Sequence, residues 1–432
     1  MQQLLEQQFA IRQHGSSIQR ELTAGCTTFL AMAYITVVNP AILSDAGMDF
    51  GAVFVATCLA AALGTAIMGL YANYPVAQAP GMGQNAFFTY GVVLGLGHTW
   101  QSALGAVFIS GLIFIVLSIL PVREWLINAI PRSLKLGISA GIGFFLGIIA
   151  LTGSGIVVSN EATIVGLGDL TELPAILMLT GFVLIAALAV RKTTGSIMLG
   201  MLIVTIVGWL TGAAEFQGVF SKPPSLATFA ELDIRAALDL SMVTVILTLL
   251  LVDVFDTAGT LVGVANRAGM LDDQGKLPRL SRALLSDSSA TAVGAVLGTS
   301  STTSFIESAA GVEAGGRTGL TALTTAGLFL LCLFLAPLAQ SIPAFATGAA
   351  LLFVATIMAR ALEDLTWADV AESAPAIVTA IAIPLSYSIA DGIGLGFITY
   401  ALVKVISGNA GRCPLAVYLI AGVFMLKFAL LS

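Results

Sequence analysis

Apolar runs of about twenty residues, divided by short polar breaks, repeat along the whole 432-residue chain. A helix needs about 20 apolar residues to cross the hydrocarbon core of a bilayer, so each run is a candidate span. The runs fall near 22–43, 50–72, 79–97, 101–120, 134–156, 172–190 and 195–214. After a polar stretch from Glu215 to Asp239, a second series follows near 240–265, 286–299, 300–315, 317–340, 342–360, 372–389 and 390–407. The expected organisation is a cytoplasmic tail (1–21), a first seven-helix repeat (22–214), an extracytoplasmic linker (215–239), a second seven-helix repeat (240–407) and a C-terminal apolar segment (408–432). Within the last, Pro414 to Leu431 is apolar apart from Lys427, and spanning the membrane, lying at its surface or packing on the bundle are all open to it.

Composition agrees with a polytopic, all-α membrane protein. Apolar residues make up 57% of the chain and charged residues only 10%, against roughly 25% charged in soluble domains. A net charge of −6 without a basic face excludes nucleic acid as a partner. Cys26, Cys58, Cys332 and Cys413 have no metal-ligand spacing and the chain has only two histidines, so no disulfide, metal or haem cofactor is expected. The first 20 residues lack the apolar stretch of a cleavable signal.

With the N-terminus in the cytoplasm, alternating spans put Arg12, Arg20, Arg123, Arg132, Lys135, Arg191, Lys192, Arg267, Lys276, Arg279, Arg282, Arg317, Arg360, Lys404 and Arg412 inside. Only Lys222 and Arg235 fall outside, the asymmetry that the positive-inside rule requires, with a bacterial-type inner membrane as the expected location. An odd number of helices per half forces the two halves into opposite orientations. Inverted repeats of this kind are a transporter architecture, with the substrate site near the midplane between interrupted helices.

The third segment of each half carries such an interruption. Pro80, Gly81 and Gly83 stand in Gln78-Ala-Pro-Gly-Met-Gly-Gln-Asn-Ala-Phe-Phe, where a continuous helix would avoid them. Gly298-Thr-Ser-Ser-Thr-Thr-Ser-Phe-Ile-Glu reads as extended chain feeding a half-helix at Phe305. Non-helical backbone at membrane depth survives only inside protein or along a wet cavity.

Asp253, Asp256, Glu307 and Glu313 are the carboxylates that stand out within the spans, and one at the bilayer centre costs about 2.5–3.5 kcal/mol on insertion scales. Asp253 and Asp256 are three apart on one helix, so one cavity can take both; Asp253 also has a structural reading, as a cap or the partner of a hydroxyl. Glu313, close to Arg317, reads as a surface or pairing carboxylate. Asn85 offers a heterocycle two donors and one acceptor, or else serves the broken backbone beside it. Phe87 and Phe88 suit stacking on a planar ring or plain packing. The glycines from 311 to 319 lack the Gly-Lys-Ser/Thr of a phosphate loop, so uphill transport would draw its energy from an ion gradient or an external ATPase partner.

At Met32-Ala-Tyr-Ile-Thr-Val-Val-Asn-Pro, Ala79-Pro-Gly-Met-Gly-Gln-Asn-Ala-Phe-Phe, Asp253-Val-Phe-Asp-Thr-Ala-Gly-Thr-Leu and Gly298 through Gly311 the chain resembles the nucleobase:cation symporter-2 superfamily. Within it, the azaguanine-type branch of adenine, guanine and hypoxanthine permeases is the most similar, essentially end to end. The resemblance implies fourteen helices in a 7+7 inverted repeat, with helices 3 and 10 interrupted by short extended strands. It also implies a core domain of about 22–120 plus 240–340 and a gate domain of about 134–214 plus 342–407. Asp256 and Glu307 match the family's helix-8 and helix-10 carboxylates and would bind a purine base, and Asn85 matches the polar position of helix 3. Backbone near Ala86 and Ile306 would assist, with Phe87, Thr303 and Ser304 completing the substrate-binding set.

Proton coupling would fall to Asp256, Glu307 and Asp253, with sodium left open as the ion; a homodimer through the gate helices is the assembly that analogy allows. Two departures matter. Ser308 follows Glu307 where the uracil and xanthine branches have Asn, which favours purine bases, and Thr260 occupies the place of the uracil branch's histidine, so coupling must use carboxylates. An anion transporter or channel of the same fold and an intramembrane enzyme are the rival readings. The first would present helix N-termini or a cation to its ligand, not two acids.

Overall fold

The computed structural model describes residues 2–120, 130–272 and 277–430; Arg123 and Lys276, assigned above to the inner side, lie outside them. Among the described residues nine helices are long and apolar enough to cross a membrane, accompanied by shorter apolar helices at Ser196–Thr211, Val370–Ser386 and Leu415–Ala429.

The first span is made of α1 (Ile18–Met32) and α2 (Ile35–Asp45), with Ala33 and Tyr34 between them. Ser17 caps α1 by accepting from the Arg20 amide, so the helix starts four residues before the apolar run does. Glu21, read from sequence as part of the tail, is consequently inside α1 and buried. Then come α3 (Phe50–Ile67), β1 (Gln78–Pro80), α4 (Met82–Ala86) and a π-helical continuation, Phe87–Gly95. The first half closes with α5 (Trp100–Ile119), α6 (Arg132–Gly153), a small hairpin of β2 (Val157–Asn160) and β3 (Ile164–Leu167), α7 (Leu173–Val190) and α8 (Ser196–Thr211).

The second half opens with α9 (Val243–Arg267) and α10 (Leu280–Leu297), then β4 (Thr302–Ser304) and α11 (Ser308–Glu313). Two boundaries depart from the sequence reading. α10 begins at Leu280 rather than 286, because Ser286, Asp287 and Ser288 are buried among polar partners and not at a helix end. The half-helix starts at Ser308 rather than Phe305, since the Phe305 amide is engaged by the Ala77 carbonyl of the first half. There follow α12 (Gly319–Cys332), α13 (Ala344–Ala359), α14 (Val370–Ser386), α15 (Ile389–Ile406) and α16 (Leu415–Leu430).

Helices from the two halves pack into two groups. α12 lies against α1 and α3, and α10 against α3 and α5; separately, α6 packs on α13 and α14, and α14 on α15. Small residues let these backbones approach: a Cβ on Gly137 of α6 would stand 2.4 Å from the Ala376 carbonyl oxygen of α14. α16 packs on the bundle: Val417, Ala421 and Phe424 are buried, Phe424 lies over Gly394 of α15, and Lys427 Nζ pairs with Asp391 Oδ1 at 2.5 Å.

Candidate functional site

The two interrupted segments meet. β1 and β4 pair antiparallel, with Gln78 opposite Ser304, Ala79 opposite Thr303 and Pro80 opposite Thr302. Pro80 has no N–H to give a ladder, and a two-stranded ribbon is where that is tolerated. Further bonds join the segments: Gly81 N donates to Ser301 O (2.9 Å), Phe305 N to Ala77 O (2.9 Å), and Ala77 N to Ser308 Oγ (3.0 Å). Main-chain groups that a helix would have satisfied are thereby paired inside protein.

Buried carboxylates fasten this ribbon to the helices around it. Asp287 of α10 accepts from Thr257 Oγ1 (2.6 Å), Ser304 Oγ (2.8 Å) and Gln78 Nε2 (3.0 Å), tying α9 and both strands to itself. Thr303 Oγ1 lies 2.8 Å from Thr257 Oγ1 and can donate to it, leaving the Thr257 proton for Asp287. Asp253 of α9 accepts from Gln84 Nε2 (3.2 Å), and the Thr291 hydroxyl stands 2.9 Å from its other oxygen. Neither Asp253 nor Asp287 is exposed at all.

Asp256 differs from both. It is exposed, although it stands in the 25-residue apolar helix α9, and Gly259 one turn on is exposed with it. Asp253 and Asp256, read from sequence as candidates for one cavity, are thus divided: Asp253 is enclosed by Gln84 and Thr291, and only Asp256 faces open space. Ile306 is 43% exposed beside it, its Cδ1 near Gly263, and Glu307 is half-exposed at the head of α11. Asp256 and Glu307 are near enough for their charges to act on one another. Lys135 of α6, in the second helix group, stands 5.3 Å above the ring of Phe255 in α9.

Most of the other predicted site residues lie behind this surface. Ala86, Phe87, Thr303 and Ser304 are buried, and Phe87 packs on Gly91 of its own helix. Asn85 is fully buried; its Oδ1 accepts from Ser300 Oγ, and its Nδ2 has no partner. Glu313 pairs on the surface with Arg267 (3.1 Å), not with Arg317. The Arg317 amide instead donates to Glu21, which also accepts from Thr318 N and Thr321 Oγ1 at the start of α12.

Three residues escaped the sequence reading. Asp287 was passed over because it stands with Ser286 and Ser288 at the polar start of the 286–299 run, where it reads as a helix end. Gln84 stood inside a motif already assigned to the break. Tyr34 lies in the first span, where no proline or glycine marks the interruption, yet its hydroxyl donates to Glu307 Oε1 at 2.6 Å.

On the side of the site away from Arg267, the two helix groups are in contact through aromatic rings. Tyr90 donates to Asp45 Oδ2 (2.6 Å) and meets Phe145 edge-on at 6.4 Å, and Phe145 in turn meets Tyr387 at 5.6 Å.

Apolar spans around a buried polar ribbon, with an acidic pair open to one side, define a polytopic membrane transporter. Solved structures agree on the fold. The transmembrane domain of a cyanobacterial bicarbonate transporter superposes with a TM-score of 0.66 at 16% identity, over 88% of this chain and 97% of that one. A murine anion transporter of solute carrier family 26 gives 0.64 at 11% identity, over 90% and 68%. The chain belongs to the permease family of the nucleobase:cation symporter-2 type, whose model matches residues 19–395. An adenine permease of Escherichia coli is 44% identical over 100% of this chain and 97% of its own length. A guanine/hypoxanthine permease of Bacillus subtilis is 44% identical over 98% and 99%. The protein is therefore a permease and not an enzyme.

Proposed function

We propose that the protein imports purine nucleobases, adenine or guanine and hypoxanthine, across an inner membrane by proton symport. The observation that carries the reading is the pair of Asp256, exposed, and Glu307, half-buried, whose charges act on one another beside the joined discontinuous segments. Two acids suit the N–H edge of a purine and repel a small anion, and relatives named for adenine and for guanine/hypoxanthine transport cover the whole chain. A carboxyl that takes up a proton on one side and is stabilised as an anion by substrate links the two fluxes.

In this reading the nine long apolar helices, α8, α10, α14 and the two discontinuous segments make fourteen spans in two inverted repeats. The helices around 22–120 and 240–340 form the core, those around 134–214 and 342–407 the gate, and the N-terminus is cytoplasmic. Asp256 is then reached from the cytoplasm while the Tyr90–Phe145–Tyr387 contacts close the outside, the inward-open member of an alternating-access pair.

Uptake of labelled adenine and hypoxanthine, at acidic and alkaline pH and with or without a protonophore, tests this in cells lacking their own purine permeases. Glu307→Gln and Asp256→Asn should abolish uptake while membrane insertion stays normal. Accumulation by both variants would refute the site; uptake that ignores the protonophore but needs sodium would refute the proton.

A further inference from the structure

Tyr34 is buried in the break between α1 and α2, and the break does not need its hydroxyl. Thr36 N bonds to Ala33 O (3.1 Å), and Val37 N and Val38 N both reach Tyr34 O (3.1 and 3.0 Å), so the main chain there satisfies itself. The phenol's bond, among the described residues, runs instead to another span, 273 residues away, on Glu307 Oε1. Glu307 heads α11 without capping it, and apart from its own main-chain amide the phenol is what holds its side chain among the described residues.

We infer that Tyr34 is a positioning and specificity-determining residue of the transport site, acting through Glu307; this rests on the reading of Glu307 as a ligand for the base. A phenol has one proton, and here it is committed to Oε1. That bond pins a flexible carboxylate in one orientation and leaves Oε2 turned to the ligand as an acceptor. The site so arranged takes a heterocycle whose edge offers an N–H, and discriminates against one that offers only acceptors there, because a buried acceptor facing an acceptor stays unpaired.

The test is equilibrium binding of labelled adenine and hypoxanthine to the purified full-length protein in lipid nanodiscs, for Tyr34→Phe, Glu307→Asp and the double variant. Tyr34→Phe is expected to weaken binding about tenfold, the range for losing a bond to a charged group. In uptake it should raise KM with little change in the maximal rate. In Glu307→Asp the shortened side chain is out of the phenol's reach, so adding Tyr34→Phe should change binding less than about twofold. The same factor on both backgrounds, or native binding by Tyr34→Phe, overturns the inference and leaves the site reading standing. Native binding by Glu307→Asp and by Glu307→Gln overturns the site reading, and this inference falls with it. If Tyr34→Phe does not fold, a fluorinated tyrosine at position 34 keeps ring and hydroxyl while altering donor strength; it should shift the Kd on the native background and not on Glu307→Asp.

Discussion

Asp287 and Asp256 stand in the same polar region, and their burial predicts opposite consequences for the same substitution. Asp287→Ala removes the acceptor for Thr257, Ser304 and Gln78, none of which is exposed to water. Each buried donor left without a partner costs about 1–3 kcal/mol. Partial re-pairing, for instance of Gln78 with Ser304 at 3.4 Å, discounts the total, and on the order of 3 kcal/mol of destabilisation remains. For domains of 150–250 residues one kcal/mol moves the melting midpoint about 2–4 °C, and less in longer chains, so a fall of roughly 5 °C is expected. Asp256→Ala leaves no hydrogen-bond partner stranded among the described residues and removes a charge from an exposed position, so its midpoint should stay within about a degree of native.

Thermal unfolding in detergent, followed with and without saturating adenine or hypoxanthine, separates the two. Native protein should gain stability from the ligand it binds, since anything that binds only the folded state raises the midpoint. Asp256→Ala should melt like native protein without ligand and gain nothing with it. Asp287→Ala should melt early in either condition, and Asp287→Asn should fall between, keeping one acceptor oxygen while adding a misplaced donor. Equal midpoints for the two alanine variants would refute the division of labour. A full ligand-induced gain in Asp256→Ala would refute the assignment of the exposed carboxylate to the site.

Three further outcomes follow from contacts outside that network. Glu21→Ala leaves the Arg317 and Thr318 amides and the Thr321 hydroxyl without their acceptor at the head of α12, and should cost about 2–4 kcal/mol, read as a lowered midpoint. Phe145→Ala empties a fully buried site between Tyr90 and Tyr387; it should cost about 3–5 kcal/mol and speed thiol labelling of a cysteine placed at Ile42, which lines the same cavity as Tyr90. Unchanged labelling would show that these rings do not close that side. Lys427→Met should destabilise by about 1–3 kcal/mol by leaving Asp391 unpaired, and Asp391→Asn in the same chain should return most of it; additive losses would show that the pair does not hold α16.

What the sequence discloses here depends on whether a feature is local. A run of twenty apolar residues is a local fact, which is why the membrane class and the long spans could be read directly, and the family followed from motifs contiguous in the chain. Asp287 lay in plain sight but hydropathy counts against it: Ser286, Asp287, Ser288 and Thr291 lower the mean of a helix that is nonetheless inside the bundle, where Ser286 and Asp287 find partners more than 200 residues earlier, on Gly64 and Gln78. A window along one chain cannot see that Gln78 supplies the compensating donor. The same limit governs the site. Spacing put Asp253 and Asp256 on one helical face, but a turn of α9 separates a carboxylate enclosed by Gln84 and Thr291 from one open to ligand, and that difference is set by α4 and α10 rather than by α9. Tyr34 is the extreme case. Nothing in Met-Ala-Tyr-Ile-Thr distinguishes it from a packing residue until β1 and β4 pair and bring Glu307 to its hydroxyl. A centre assembled from segments far apart in the chain makes its most consequential contacts at the longest sequence separation.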